Sequence, residues 1–248
     1  MLFSRFFASL IICNLITALS LHMEAYAQTH DPHAGHAHAK TDHEQSSANS
    51  EAPPIPQIDH VFTESPDDYT LGDAAAPISI IAYASVTCPH CSQWFIHEWP
   101  KVKSALIDSG QIRFTFREFP TAPEQIAMIG FLIANCAAQN GSPNPDATFF
   151  SAIEHQMQKQ DETFEKLKAG QGEQTFIDIA TAAGLDGKAG METCFQSDPA
   201  HKHIYDSRLR AFHGKIPSVP SFVINGSPHT GPNSADDLIA YVTETAQK

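Results

Sequence analysis

The central part of the chain alternates between strand-like and helix-like hydrophobic patterns. The apolar run ISIIAY at 78–83 predicts a buried strand, and apolar residues at helical spacing follow it over 95–106. The segment 111–117 then alternates strictly, which predicts a second strand. Its inward positions are Ile112, Phe114 and Phe116, and its outward positions are Arg113, Thr115 and Arg117. This order predicts a right-handed βαβ unit, with a kink in its helix at Pro100.

Nearly all patterns between residues 123 and 212 are helical. Apolar stripes predict helices over 124–138, 148–160, 173–183, 187–195 and 199–212. The pattern then returns to β, because SFVI at 221–224, an Asn-Gly turn and residues 228–230 predict a hairpin. A last helix is predicted over 235–246. We therefore expect an α/β fold with a helical block inserted between two β-containing segments.

The first 27 residues have the pattern of a secretory signal. Arg5 precedes an apolar core from Phe6 to Leu21, and AYA at 25–27 supplies the small residues of a cleavage site. A membrane anchor is the alternative, but a spanning helix needs ~20 apolar residues and this core is shorter. We expect cleavage after Ala27.

Residues 28–60 are polar, lack periodicity and contain PPIP at 53–56, which predicts a flexible linker. The linker holds a tract of five histidines, namely His30, His33, His36, His38 and His43. Imidazoles at this density can bind zinc, copper or nickel. The simpler interpretation, which we favour, is a soluble spacer whose histidines titrate at about pH 6.5.

The charge of the chain excludes one class of partner. The formal net charge is −13, from 28 acidic and 15 basic residues, and removal of residues 1–27 takes away one Arg and one Glu. A chain this acidic, without a basic patch, is not a nucleic-acid binder. The linker also lacks the heptads of an oligomerising stalk, and we expect a monomer.

Candidate chemistry lies between the first predicted strand and its helix, in TCPHC at 87–91. Cys88 is placed at a helix N-terminus, where free backbone N–H groups and the macrodipole favour the reactive thiolate. Cys91, one turn further, should lie deeper and resolve a mixed disulfide on Cys88. Pro89 suits the first helical turn, and His90 can add positive charge or a hydrogen bond near the thiolate.

Two other interpretations of this motif are weaker. A Cys-x-x-Cys pair is often half of a zinc site, but zinc needs a second ligand pair at short spacing and none follows. An inert structural disulfide is also poorly placed at the start of a helix. The spacing therefore indicates redox chemistry.

The CPHC motif after a hydrophobic strand, together with VPSF at 219–222, resembles the DsbA family of bacterial thiol:disulfide oxidoreductases from about Tyr69 onward. The resemblance implies a thioredoxin fold with an inserted helical domain and no cofactor beyond a redox-active Cys88–Cys91 disulfide. It implies a cis peptide between Val219 and Pro220 facing the cysteines, where free backbone groups can pair with an extended substrate. It further implies a periplasmic oxidase that acts on reduced, unfolded secreted proteins and is reoxidised by a membrane oxidase of the DsbB type.

Cys136 and Cys194 both fall in the helical block. They can be two reduced, buried cysteines, but in the periplasm we prefer a disulfide between them. Such a link would contribute roughly 4 kcal/mol by the chain-entropy argument. A second disulfide here resembles DsbA-like proteins of the alphaproteobacterial type.

These patterns divide the chain into five predicted parts. They are a signal peptide (1–27), a His-rich linker (28–60), an N-terminal thioredoxin-fold half (61–120), an inserted helical domain (121–212) and a C-terminal thioredoxin-fold half (213–248). The predicted function is the introduction of disulfide bonds into secreted proteins. Two alternatives stay open: a disulfide reductase or isomerase, and a periplasmic copper- or zinc-handling protein that uses the histidine tract with the thiols.

Overall fold

The computed structural model describes residues 54–245. The strands are β1 (Tyr69–Leu71), β2 (Ile78–Ala84), β3 (Ile112–Glu118), β4 (Ser221–Ile224) and β5 (Ser227–His229). The α-helices are α1 (Pro89–His97), α2 (Trp99–Val102), α3 (Glu124–Gln139), α4 (Pro145–Gln158), α5 (Gln160–Lys168), α6 (Gly172–Ala182), α7 (Gly187–Phe195), α8 (Asp198–His213) and α9 (Ala235–Thr245), and a π-helical turn follows α2 at Lys103–Ile107.

One five-stranded sheet carries the fold, in the order β1-β3-β2-β4-β5. β2 and β3 are parallel, with Ile80 opposite Phe114, so α1 and α2 form the crossover of the predicted βαβ unit. β4 lies antiparallel to β2 on its other side and forms the predicted hairpin with β5. The helices α3 to α8 lie in sequence between β3 and β4. The α/β thioredoxin fold with an inserted helical block is confirmed.

The kink predicted at Pro100 is an interruption of the helix just before this residue, so the crossover consists of two helices and not one kinked helix. α1 ends at His97, and Pro100 occupies the first turn of α2, where the missing N–H of proline costs nothing. Apolar residues continue across the break, and Trp99 stacks on Phe150 of α4 with ring centroids 5.9 Å apart. The aromatic core therefore joins the crossover helices to the helical block.

The outward face of β3 was predicted wrongly. Thr115 and Arg117 are fully buried, because residues 61–68 and α8 cover the face that the alternation assigns to solvent. The Arg117 guanidinium is neutralised there, since it donates to both carboxylate oxygens of Asp68 at 2.8 and 3.2 Å and to the carbonyl oxygen of Val61 at 3.0 Å. Strict alternation thus predicts a strand with one apolar and one polar face, but it does not show which of the two faces other segments of the chain cover.

The predicted linker ends earlier than residue 60. The carbonyl oxygen of Asp59 accepts from Arg210 Nε at 3.1 Å, and that of Pro56 lies 2.9 Å from His213 Nε2. Pro56 and Asp59, inside the predicted linker, therefore contact α8. The predicted helix over 148–160 is also corrected, because α4 ends at Gln158 and the unpredicted α5 begins at Gln160.

The structure joins Cys136 of α3 to Cys194 of α7 in a disulfide with a Cα–Cα distance of 5.6 Å. The predicted signal peptide and the histidine tract lie outside the described residues. Among the helices of the described part, none combines the length and the apolar character that crossing a membrane requires.

Candidate active site

The CPHC motif lies where β2 passes into α1. Cys88 is the N-cap residue of α1 with extended backbone angles (φ −87°, ψ 118°), and Pro89 opens the first helical turn. No side chain caps this end, so the first amides of α1 remain free to face the Cys88 sulfur. The local sequence therefore places a thiol at the positive end of a helix dipole.

The pKa values of the two cysteines are shifted in opposite directions, downward for Cys88 and upward for Cys91. The thiol of Cys91 donates to Cys88, and this hydrogen bond is the main reason why the pKa of Cys88 falls to about 6 from an ordinary 9.0. Partial burial opposes the shift, while the backbone amides of Cys91 and His90 add to it. The charge of the exposed His90 contributes least. Cys88 is thus mainly thiolate at neutral pH.

Burial raises the pKa of Cys91, and its hydrogen bond to Cys88 raises it further. Its side chain is fully enclosed, and the backbone N–H of Ser85 approaches Cys91 Sγ at 3.5 Å. The two thiols are not bonded in this structure. The pair therefore consists of an anionic nucleophile near the surface and a protonated, hidden partner, as the motif predicts.

Val219 and Pro220 lie beside the thiols although 131 residues separate Val219 from Cys88. Their peptide bond is cis, and Cys88 Sγ lies 3.5 Å from the carbonyl oxygen of Val219. A groove of about 470 Å³ runs between this turn and α1. Its lining includes His90, Gln93, Trp94, His97, Val219, Pro220 and Asn233. The structure thus brings all six predicted residues of the redox site together.

Three hydroxyl side chains to which the motif analysis assigned no role support the loop before Cys88. The Thr87 hydroxyl lies 3.1 Å from Ser85 Oγ and donates to the carbonyl oxygen of Thr121 at 3.0 Å. The Thr121 hydroxyl donates to Ser85 Oγ at 3.0 Å. This network ties the loop after β2 to the segment after β3. No periodicity marks these residues, because their partners meet only in the folded sheet.

A fourth missed residue comes from the helical block. Gln160, at the start of α5, is buried and donates to the carbonyl oxygen of Val86 at 2.7 Å and that of Cys88 at 3.2 Å. A weak signal exists in the sequence, since Phe149, Ile153 and Gln160 continue one helical stripe. A polar residue on a buried stripe needs a partner.

The remaining predicted site residues lie elsewhere. Cys136 and Cys194 line a separate surface pocket around their disulfide. In the part of the chain that the structure describes, no three His, Cys, Asp or Glu side chains are placed to hold a metal ion. The metal-binding hypothesis therefore depends on the histidine tract, which lies outside that part.

A thioredoxin family model matches residues 64–244. A candidate protein-disulfide oxidoreductase of Rickettsia felis is 25% identical over 197 residues, covering 79% of this chain and 66% of the relative. A Rickettsia prowazekii relative of the same description is 26% identical over 181 residues, covering 73% and 62%. The match to this chain thus spans less than two thirds of the length of these relatives.

Solved structures of DsbA proteins share the fold. A variant of Wolbachia pipientis alpha-DsbA1 superposes with a TM-score of 0.62 at 24% identity, covering 74% of this chain and 93% of that one. Chlamydia trachomatis DsbA superposes with a TM-score of 0.59 at 18% identity, covering 79% and 98%.

Proposed function

The chain belongs to the thioredoxin family and has its DsbA-like architecture, and from this premise we propose that it is a periplasmic thiol:disulfide oxidoreductase that introduces disulfide bonds into secreted proteins. The name carried by the Rickettsia relatives, protein-disulfide oxidoreductase, agrees with this activity. The observation that carries the proposal is the asymmetric pair of thiols at the start of α1.

The reaction is a dithiol–disulfide exchange in two steps. A substrate thiolate attacks Cys88 Sγ of the Cys88–Cys91 disulfide, and the Cys88–Cys91 bond breaks as the mixed disulfide forms. The second substrate thiolate then attacks the substrate sulfur of the mixed disulfide and expels Cys88 as a thiolate. The substrate loses two electrons and two protons, and the enzyme gains the electrons as reduced Cys88 and Cys91. One proton ends on Cys91, whose pKa is raised, and the other passes to solvent because Cys88 is left mainly as a thiolate.

The low pKa of Cys88 supports the oxidising direction. A thiolate with a pKa of about 6 is a good leaving group at neutral pH. Its stabilisation lowers the free energy of the reduced enzyme, which makes transfer of the disulfide to the substrate favourable. A membrane oxidase of the DsbB type would return the pair to the disulfide.

The cis turn supplies a place for the substrate backbone. Proline at 220 has no N–H, and Val219 lies between the Cys88 sulfur and the groove along α1. An extended substrate can pair with the backbone of Val219 in the manner of an added strand. Reduced, unfolded polypeptides fit this surface because their backbones are free to pair.

Oxidation of a reduced peptide that contains two cysteines tests the proposal. The wild-type protein with its Cys88–Cys91 disulfide should oxidise the peptide in stoichiometric amount, and Cys88→Ala should abolish the reaction. Cys91→Ala, activated as a mixed disulfide with glutathione, should transfer that disulfide to the peptide through Cys88. An oxidised wild-type protein that leaves the peptide reduced would contradict the proposed activity.

A further inference from the structure

Gln160 links the helical block directly to the loop that carries the reactive cysteine. It is the first residue of α5, and the residue is only 4% exposed. Its Nε2 donates to the carbonyl oxygens of Val86 and Cys88, which precede it by 74 and 72 residues. One amide group therefore bridges two carbonyls on either side of Thr87.

These two carbonyls depend on the amide to different degrees. The carbonyl oxygen of Cys88 also accepts the first hydrogen bond of α1, from the backbone N–H of Ser92 at 3.0 Å. Within the described residues, the carbonyl oxygen of Val86 accepts its one hydrogen bond from Gln160. A buried carbonyl without a donor is unfavourable, so loss of the amide would drive the loop to move.

We propose that Gln160 is a positioning residue for the redox reaction: it holds the 86–88 loop so that the amides of α1 and the Cys91 thiol converge on Cys88 Sγ. Through it, the helical block sets the acidity of the reactive thiol. This inference rests on the proposed function, because it concerns the same cysteine pair.

The physical reason lies in the short range of the groups that stabilise the thiolate. Hydrogen bonds weaken steeply as distance grows and alignment is lost, and the effect of a helix dipole falls off within the first turn. Loss of the donor should therefore loosen the loop and raise the pKa of Cys88.

Gln156 offers a matched control four residues earlier. It is also a buried glutamine, with 5% exposure, and its Nε2 donates to the carbonyl oxygens of Gly130 at 3.1 Å and Ala152 at 3.2 Å. Both acceptors lie within the helical block. Gln156→Met thus removes a buried bridge whose hydrogen-bond acceptors lie outside the 86–88 loop, while Gln160→Met removes the bridge to that loop.

The experiment measures the Cys88 pKa from the ultraviolet absorbance of its thiolate and the equilibrium with glutathione at pH 7. Both variants should lose stability, which thermal unfolding records. Only Gln160→Met should raise the Cys88 pKa. A rise of about one unit from about 6 would weaken the enzyme as an oxidant about fivefold at pH 7. Equal pKa values in both variants and the wild type, with both folded, would overturn the inference.

The wild-type protein gives a second test if Gln160→Met does not fold. During a pH titration of the reduced protein, the side-chain amide resonances of Gln160 should shift with the midpoint of Cys88 ionisation, and those of Gln156 should not. Identical behaviour of the two glutamines would refute the inference. These readouts do not require peptide oxidation, so failure of the proposed function and failure of the Gln160 inference are distinguishable.

Discussion

The same residue type acquires opposite properties at Cys88 and Cys91 because three positions along one helix separate them. Cys88 is the N-cap and retains a small exposed area, while Cys91 is one turn further and fully enclosed. The Cys91 thiol then serves as a hydrogen-bond donor to the Cys88 thiolate. Each cysteine thus reinforces the ionisation state of the other.

The ranking of these contributions predicts an order of effects at the residue scale. Cys91→Ala removes the donor that lowers the Cys88 pKa most, whereas His90→Ser removes the weakest contribution and leaves the backbone amide in place. Both should raise the Cys88 pKa, and Cys91→Ala should raise it more. Ultraviolet titration of the thiolate measures both values. A larger rise in His90→Ser would show that the exposed imidazole dominates.

The reactive residues could be predicted because they occupy adjacent positions in the sequence. Cys88, Pro89, His90 and Cys91 form one motif, and the helix that follows fixes which sulfur lies at its end. The supporting residues could not, because their partners are distant in sequence. Gln160 reaches the loop only after α5 has packed beneath it.

At the scale of elements, a buried ion pair joins the end of β3 to α8. Glu118 is fully buried, and its Oε1 accepts from Asn135 Nδ2 at 2.9 Å and lies 3.0 Å from His203 Nδ1. Burial alone would raise the pKa of Glu118 and lower that of His203. For each group, the charge of the other and the hydrogen bonds together outweigh the effect of burial, so the pKa of Glu118 is lowered and that of His203 is raised. The pair is therefore charged at mildly acidic pH.

Breaking this pair should destabilise the protein strongly. Glu118→Gln leaves His203 without its counter-charge and should lower the free energy of unfolding by about 3–5 kcal/mol, a typical cost for a broken buried pair. Denaturant unfolding at about pH 5.5 measures it, since both native groups are charged between the ordinary values of 4.5 and 6.5. The control is Glu173→Gln, which removes an exposed pair with Lys188 and should have little effect.

The sign of the pH dependence follows from the same pair. The pKa of Glu118 is lowered, so its contribution is lost as pH falls through that pKa. The pKa of His203 is raised, so its contribution is lost as pH rises through that pKa. A cost for Glu118→Gln that is no larger at pH 5.5 than at pH 9 would contradict the ion pair.

Element types could be predicted better than their surroundings. Periodicity identified β2, β3 and most helices because each carries its own apolar stripe. It could not show that α8 and residues 61–68 cover the second face of β3. Polar residues such as Thr115 and Arg117 are predicted to face solvent, and only the fold shows that Asp68 lies beside Arg117. The short α5 was missed because its stripe merges with that of α4.

At the scale of the whole molecule, redox state and folding stability are linked through one thiolate. The Cys88 pKa is about 6 in the folded reduced protein against an ordinary 9.0. A lowered pKa stabilises the folded state above the ordinary value, and this contribution is lost as pH falls through the folded pKa. The oxidised protein lacks the free thiols of Cys88 and Cys91, so the difference between the two redox forms isolates this pair. Cys91, whose pKa is raised in the folded protein, affects the difference only near pH 9, where the unfolded thiol begins to ionise.

This linkage predicts a pH-dependent stability difference. The unfolding free energy of the reduced form, relative to the oxidised form, should rise by about 1 kcal/mol between pH 6 and 7 and by about 2 kcal/mol more up to pH 9. Denaturant unfolding of both forms across this range measures it. Other titrating groups, Glu118 and His203 included, are common to both forms and cancel. A difference that is constant with pH would mean that Cys88 is not a stabilised thiolate.

The equilibrium of the Cys88–Cys91 pair with glutathione tests the central claim, an oxidising enzyme, most directly. The reduction potential of DsbA is about −120 mV, and that of thioredoxin is about −270 mV. The stabilised Cys88 thiolate predicts a potential less negative than that of thioredoxin, shifted toward that of DsbA. A potential near that of thioredoxin would contradict the claim and identify a reductase.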